Sequence, residues 1–132
     1  MTWTDDFSVH DLRMDDQHRM LFDYINNLCD VMDRDRARPA ILDAYQKVLD
    51  YTGFHFRDEE ALMERVNYPG LSKHRLVHQQ LVTRALDFKE RIKTGDAAAP
   101  DELKYFLKNW LTAHIKGIDV QYSAYLGPKG SH

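Results

Sequence analysis

Apolar side chains recur at steps of three and four residues in four separate segments of the chain, which is the spacing of amphipathic helices. The first helix is predicted over about residues 16 to 36, with Asp15 or Asp16 as its cap. Its apolar stripe consists of Met20, Leu21, Ile25, Leu28 and Met32. The charged run from Asp33 to Arg38 ends the pattern.

The second and third predicted helices include histidines in their apolar stripes. Pro39 suits the first turn of the second helix, and the Asn67-Tyr68-Pro69-Gly70 sequence ends it. The stripe of the second helix is Ile41, Tyr45, Val48, Thr52, His55, Glu59, Leu62 and Val66. The stripe of the third helix is His74, His78, Leu81, Ala85, Phe88 and Ile92, and the pattern stops at Thr94-Gly95-Asp96.

The fourth helix is predicted from Pro100 to about Tyr125. Its stripe is Leu103, Leu107, Trp110, His114 and Ile118, widened by Phe106, Leu111 and Ile115. No alternating stretch of β-branched residues competes with the four segments, and the connections between them are short. Short connections favour antiparallel neighbours, so we predict an all-α protein folded as an up-down-up-down four-helix bundle.

The two ends of the chain do not fit the bundle pattern. Trp3 and Phe7 are expected to hold about the first fourteen residues as an N-terminal arm over the helices. The last six residues are typical of a flexible tail or a remnant of cloning. For a chain of 132 residues we predict one domain over residues 1–126, followed by the tail at residues 127–132.

Composition and charge exclude several classes of partner. The chain is 43% hydrophobic and 30% charged, with a net charge of −3, and it has no clustered basic face for nucleic acid. No secretory signal and no apolar run long enough for a membrane span is visible, so a cytoplasmic protein is expected. We also expect a monomer. Cys29 is the single cysteine and is expected to be a small buried apolar residue.

Five histidines and two acids fall at one end of the predicted bundle. Three of them come early in helices one and three, and the other four come late in helices two and four, so antiparallel packing gathers all seven within about 10 Å along the axis. A single histidine on an apolar stripe is usually an ordinary core residue, but burying all seven groups unpaired costs several kcal/mol for each charge. Metal cations would satisfy them together. The predicted two-metal site consists of His18, His55, Glu59, His74, His78, His114 and Asp119.

Spacing within each helix supports most of this set. His55 and Glu59 are four residues apart, as are His74 and His78, so each pair shares one helix face. Asp119 follows the preceding histidine by five residues, about 140° around an ideal helix. Periodicity alone leaves Asp119 open between a ligand reached through a local distortion and an ordinary solvated acid. Imidazoles and carboxylates without a thiolate suit iron, manganese or zinc equally.

The motifs around these residues resemble those of the hemerythrin family over about residues 3 to 125. The family's first-helix histidine corresponds to His18 in DDQHRMLF, and its His-x-x-x-Glu pair to His55 and Glu59 in HFRDEEALM. Its His-x-x-x-His pair corresponds to His74 and His78 in YPGLSKHRLVH, and its His-x-x-x-x-Asp pair to His114 and Asp119 in HIKGID. Each motif is weak alone, but the combination is highly specific.

The resemblance implies a cofactor of two non-haem iron ions with an oxo or hydroxo bridge. It implies that Glu59 and Asp119 bridge the two irons. The histidines would divide into a group of three, His74, His78 and His114, and a group of two, His18 and His55. If each iron has six ligands, one position stays open on the two-histidine iron, where the family binds O₂. The resemblance implies an O₂ pocket lined by Leu21, Phe56, Trp110, Leu111 and Ile115, although these residues are also typical of plain core.

The function implied by the resemblance is reversible O₂ binding for transport, storage or delivery, by a carrier rather than an enzyme. The resemblance leaves room for a separate O₂-recipient protein but does not identify one. Two alternatives stay open, which are an O₂ or iron sensor acting through a separate partner and a di-iron oxidase or peroxidase. Di-iron enzymes built on helical bundles typically use four acids and two histidines. The excess of neutral histidines here favours ferrous iron and O₂ carriage.

Overall fold

The computed structural model describes residues 2–34 and 37–126, except for the side chain of Val120. Its four long helices are α1 at Leu12–Arg34, α2 at Arg38–Arg65, α3 at Leu71–Lys93 and α4 at Ala99–His114. A 3₁₀ turn at Asp5–Phe7 precedes α1. After α4 the chain continues through a π-helical turn at Ile115–Asp119, the short helix α5 at Val120–Tyr122 and a 3₁₀ turn at Ser123–Tyr125. No strand occurs within these described ranges, so the predicted helical bundle is confirmed.

Helix α1 begins earlier than the sequence pattern predicts, and neither Asp15 nor Asp16 caps it. Asp11 is the cap, because its carboxylate accepts a hydrogen bond from the backbone N–H of Met14 at 2.9 Å. Asp15 instead accepts hydrogen bonds from the hydroxyl of Ser8 at 2.6 Å and the backbone N–H of Val9 at 2.9 Å. Asp15 therefore attaches the preceding segment to α1. The predicted end at residue 36 lies outside the described residues.

The stop signals after α2 and α3 act through the backbone. Asn67 has φ of 55° and Gly95 has φ of 85°, which are left-handed conformations typical of helix C-termini. Asparagine and glycine tolerate this region better than other residues. Both connections are therefore tight, and consecutive helices fold back against each other.

Two apolar clusters fill the bundle. The larger one includes Leu21, Ile25, Leu28, Met32, Ile41, Tyr45, Val48, Leu103, Leu107, Leu111 and Ile115. The smaller one consists of Val9, Met14, Leu62, Met63, Tyr122 and Leu126. Cys29 is buried in the larger cluster, as predicted, whereas the prediction that Met20 faces the core is wrong because 39% of it is exposed.

The N-terminal arm packs on the bundle through aromatic rings. The Trp3 ring lies 5.7 Å from that of Phe7 and 5.6 Å from that of Phe22, and Phe7 lies 4.8 Å from Phe22. Cζ of Arg19 in α1 lies 4.6 Å from the centre of the Trp3 ring, and Nζ of Lys116 in the π turn lies 4.6 Å from the centre of the Phe7 ring. Both contacts are cation–π interactions. The predicted arm is confirmed, and it contacts both α1 and the π-helical turn. The predicted tail at residues 127–132 lies outside the described residues.

None of the helices in the described part of the chain is both long and apolar enough to cross a lipid bilayer.

Candidate metal centre

All seven sequence-predicted site residues are buried and lie together. The donor atoms form two overlapping groups, within each of which all atoms lie within 4.8 Å of one another. The first group consists of Glu59, His74, His78, His114 and Asp119. The second group consists of His18, His55, Glu59 and Asp119. Glu59 and Asp119 belong to both groups, so each carboxylate lies between three histidines on one side and two on the other.

Glu59 divides its two oxygens between the two groups of histidines. Its Oε1 lies 3.3 Å from Nε2 of His74 and 3.1 Å from Nε2 of His78. Its Oε2 lies 3.5 Å from Nε2 of both His18 and His55. One carboxylate can thus serve two cations at once.

Asp119 divides its oxygens in the same way. Its Oδ1 lies 2.9 Å from Nε2 of His74 and 3.0 Å from Nε2 of His114. Its Oδ2 lies 3.2 Å from Nε2 of His18. Two carboxylates therefore link the same two groups of nitrogens, which is the arrangement expected of bridging ligands.

The π-helical turn explains how Asp119 reaches the site. In a π turn each N–H bonds to the carbonyl five residues earlier, so residues five apart nearly share a face, as residues four apart do in an α-helix. This turn spans Ile115–Asp119 and directly follows His114. Within this turn the Gly117 carbonyl accepts a hydrogen bond from the side-chain amide of Gln121 at 2.7 Å. The local distortion that the spacing required is therefore present.

Electrostatic coupling is strong in this cluster. Burial lowers the pKa of His18 and of His74, but their contacts with Asp119 and Glu59 outweigh it and raise each pKa to about 9. For His55 burial dominates and lowers the pKa. Burial also opposes ionisation of Glu59, yet the facing histidines hold its pKa well below the usual value. Burial and the charge of Glu59 raise the pKa of Asp119, but His114 and His18 outweigh them and lower it.

Several donor atoms have no well-aligned hydrogen bond to any described residue. These buried atoms include Nε2 of His18, Nε2 of His74, Oε1 of Glu59 and both carboxylate oxygens of Asp119. Nε2 of His78 also faces Nε2 of His114 at 3.2 Å, so one of these two nitrogens must carry a proton for the contact to be favourable. Leaving such atoms without well-aligned hydrogen bonds in a buried site is costly. Cations placed among them would satisfy the nitrogens and oxygens together, so the donor set fits a pair of metals.

Four residues around the cluster were missed by sequence reasoning. Tyr122 donates a hydrogen bond to Oε2 of Glu59 at 2.9 Å. Nδ1 of His55 lies 2.6 Å from Oε1 of Gln17, whose amide donates to Asp58 at 2.6 Å. Nδ1 of His78 lies 2.8 Å from Oε2 of Glu60. The run of three acids, Asp58, Glu59 and Glu60, was the one available signal, because only the middle acid fits the apolar stripe.

The five predicted pocket residues are buried or half-buried, and two of them have rings close to ligand rings. Leu21, Leu111 and Ile115 are at most 1% exposed and belong to the larger apolar cluster. Phe56 stacks on His78 with ring centroids 3.7 Å apart and planes at 6°. Trp110 is half-buried, and its ring lies 6.1 Å from that of Phe56. The structure thus brings the rings of Phe56 and Trp110 close to ligand rings, and the O₂ pocket as a whole stays a prediction.

The pKa shifts predict how pH affects the metal-free protein. The pKa of His18 and His74 is raised from 6.5 to about 9 on folding, so their stabilising contribution is complete below pH 6.5 and disappears as pH rises through 9. The free energy of unfolding of the metal-free protein should fall by a few kcal/mol over this range. The metal-loaded protein should change less, because cations replace these protons. Urea unfolding at pH 6.5 and 9, with and without chelator, measures the stability of the metal-free and the metal-loaded protein. An equal free energy of unfolding at the two pH values without metal would contradict the prediction.

Comparison with known proteins gives a consistent result. The family model described as "Hemerythrin HHE cation binding domain" matches residues 11–126. A bacteriohemerythrin of Stenotrophomonas maltophilia is 34% identical over 123 residues, which are 93% of this chain and 79% of that protein. A hemerythrin-like protein of Naegleria gruberi is 35% identical, covering 94% of this chain and 92% of its own length. A crystal structure of wild-type hemerythrin superposes with a TM-score of 0.89 and 30% identity over 97% of this chain and 98% of that one.

Proposed function

Because the chain belongs to the hemerythrin family, we propose that it binds O₂ reversibly at a non-haem di-iron centre and carries, stores or delivers it. The observation that supports this most is the division of the Glu59 and Asp119 oxygens between groups of three and two histidines. We further propose that residues 1–126 form one domain that contains the whole site. In this proposal the protein is a carrier and not an enzyme.

The seven buried donors are the proposed iron ligands. His74, His78 and His114 would hold one iron and His18 and His55 the other, while Glu59 and Asp119 would bridge them together with an oxo or hydroxo group. When bound, the two irons would supply the reversible electron transfer that O₂ binding requires. We assign O₂ to the two-histidine side, since that side has fewer protein donors.

Side chains around the irons have two proposed tasks. The hydroxyl of Tyr122 donates to Glu59 and so fixes the carboxylate that both groups share. Leu21, Phe56, Leu111 and Ile115 are buried, each within three residues of a ligand along the chain, and they would exclude water from the O₂ site. The half-buried Trp110 would form the outer edge of this wall.

An optical experiment tests the proposed function. The iron-loaded protein is reduced without air, exposed to O₂ and then swept with argon over several cycles. Carriage predicts a visible charge-transfer band that appears with O₂ and disappears with argon in every cycle, with about one O₂ taken up for two irons. Chelator-treated protein should show no band. A one-way spectral change, or consumption of many O₂ equivalents, would indicate an oxidase and overturn the proposal.

Shortening one wall residue should weaken the exclusion of water. Leu111→Ala leaves the ligands intact but opens a cavity at a residue that is 1% exposed. We expect iron content to stay the same and the band of the O₂-bound protein to decay several times faster, while unfolding costs about 2–5 kcal/mol less.

The matched control for this change is Leu103→Ala. Leu103 lies on the same helix, is equally buried and is absent from the proposed wall. It should lose comparable stability with no change in the decay rate of the band. Equal decay in both variants would remove Leu111 from the pocket.

A further inference from the structure

A continuous chain of hydrogen bonds connects the metal cluster with the protein surface on the two-histidine side. Nδ1 of His55 lies 2.6 Å from Oε1 of Gln17, and the amide nitrogen of Gln17 donates to Oδ2 of Asp58 at 2.6 Å. The guanidinium of Arg13 donates to both oxygens of Asp58, at 2.5 Å and 2.9 Å. Gln17 is 5% exposed, whereas the Arg13 side chain is 65% exposed. The chain therefore passes from a buried ligand through α1 and α2 to solvent.

Each hydrogen bond in this chain has a fixed direction. Arginine can only donate, so both oxygens of Asp58 act as acceptors, as an ionised carboxylate does. Gln17 must then turn its NH₂ group towards Asp58 and its carbonyl oxygen towards His55. A carbonyl can only accept, so Nδ1 of His55 has the proton. Its Nε2 is left with a lone pair directed at Glu59 and the other donors.

The three-histidine side has a shorter counterpart of this chain. Nδ1 of His78 lies 2.8 Å from Oε2 of Glu60, and Arg75 donates to the other Glu60 oxygen at 3.1 Å. The remaining histidines have no hydrogen-bond partner for Nδ1 among the described residues: His18, His74 and His114. Each group of histidines thus has one member whose Nδ1 is hydrogen-bonded to a residue that is not a metal ligand. Only His55 is held through a neutral amide, that of Gln17, whose oxygen and NH₂ group can exchange places by rotation.

We propose that Asp58 and Gln17 are positioning residues that set the tautomer of His55 and thereby retain the iron on the two-histidine side. This inference rests on the proposed function, since that side is where O₂ is assigned. Asp58 acts through Gln17 and not on the iron. An uncharged residue at position 58 would no longer fix the orientation of the Gln17 amide. A reversed amide would donate a hydrogen bond to Nδ1 of His55, and the proton of the His55 ring would then be on Nε2.

The variant Asp58→Asn tests this directly, with metal content and histidine tautomer as readouts. Wild-type and variant proteins are loaded with zinc, which is diamagnetic, and challenged with increasing chelator before elemental analysis. Wild type should retain two zinc ions, whereas the variant should lose one of them at about 10- to 100-fold lower chelator strength. In ¹⁵N-histidine NMR spectra the wild-type His55 should show a protonated Nδ1. The variant should show a protonated Nε2 that does not bind metal.

Two further variants complete the experiment. Gln17→Met removes the acceptor for Nδ1 at similar size and should also release one zinc early, so it decides the question if Asp58→Asn does not fold by circular dichroism. Asp16→Asn makes the same chemical change at a side chain that is 75% exposed on α1, and it should match wild type in both readouts.

The possible outcomes separate the two proposals. Wild-type protein that retains fewer than two metal ions would overturn the proposed function itself. Wild-type protein with two zinc ions, together with folded variants that keep both ions and the same His55 tautomer, would overturn only the role of Asp58 and Gln17.

Discussion

Glu59→Gln is expected to reduce the metal content from two ions per chain to one or none. Glutamine has the same size, but one of its two polar atoms is an NH₂ group that cannot bind a cation. Tyr122 donates to the Oε2 position, so the glutamine oxygen should remain there and the NH₂ group should face His74 and His78. The three-histidine group then loses an oxygen ligand, and one buried negative charge between the cations disappears. Removing one partner of such a buried set costs about 3–5 kcal/mol.

Elemental analysis after anaerobic loading with ferrous iron measures the effect, and thermal unfolding measures the accompanying loss of stability. The matched control is Glu64→Gln, which lies on the same helix with 71% of its side chain exposed. It should load as wild type does and unfold at nearly the same temperature. Full iron content in Glu59→Gln would show that the shared carboxylate is dispensable and would refute bridging by this residue.

His78→Ala should weaken metal binding and thermal stability together. The change removes one nitrogen from the three-histidine group and the ring that stacks on Phe56 at 3.7 Å. A metal that binds only the folded chain stabilises it, by about 2.7 kcal/mol when the free metal concentration is 100 times the dissociation constant. A variant with weaker affinity loses much of that contribution.

A chelator separates the metal contribution from packing in this second experiment. With iron present, the melting temperatures of wild type and His78→Ala should differ widely, and the difference should shrink to the packing loss when both are metal-free. His10→Ala is the control, because His10 is exposed and absent from both donor groups. A difference that stays the same in chelator would indicate that His78 contributes through packing alone.

Helical periodicity predicted the part of this structure that depends on burial. Residues such as His55, Glu59 and His78 occupy the same stripe as the apolar core residues, and the structure buries them at the expected end of the bundle. Side-chain burial repeats with the helix period, so the pattern contains this information. Antiparallel packing of short-linked helices then determines which helix ends meet.

Hydrogen bonds between side chains on different helices could not be predicted in this way. Asp11, and not Asp15, caps α1, because Asp15 is engaged by the arm, and no local pattern distinguishes these two acids. Gln17 and Asp58 are polar neighbours of ligands, and their roles depend on the packing of α1 against α2. The position of Asp119 required the π turn, which periodicity could only leave open.

The widened turn after His114 also changes the phase of everything that follows it. In an unbroken α-helix Asp119 would lie about 140° and Tyr122 about 80° away from His114 around the axis. If the turn absorbs one residue, the two side chains return to within about 40° of the same line, and Tyr122 comes to lie two full turns beyond the histidine. One extra residue in the turn therefore places both Asp119 and Tyr122 on the side of the helix that faces the metal site. The final helical segment thus consists of two helices whose faces are offset by one residue.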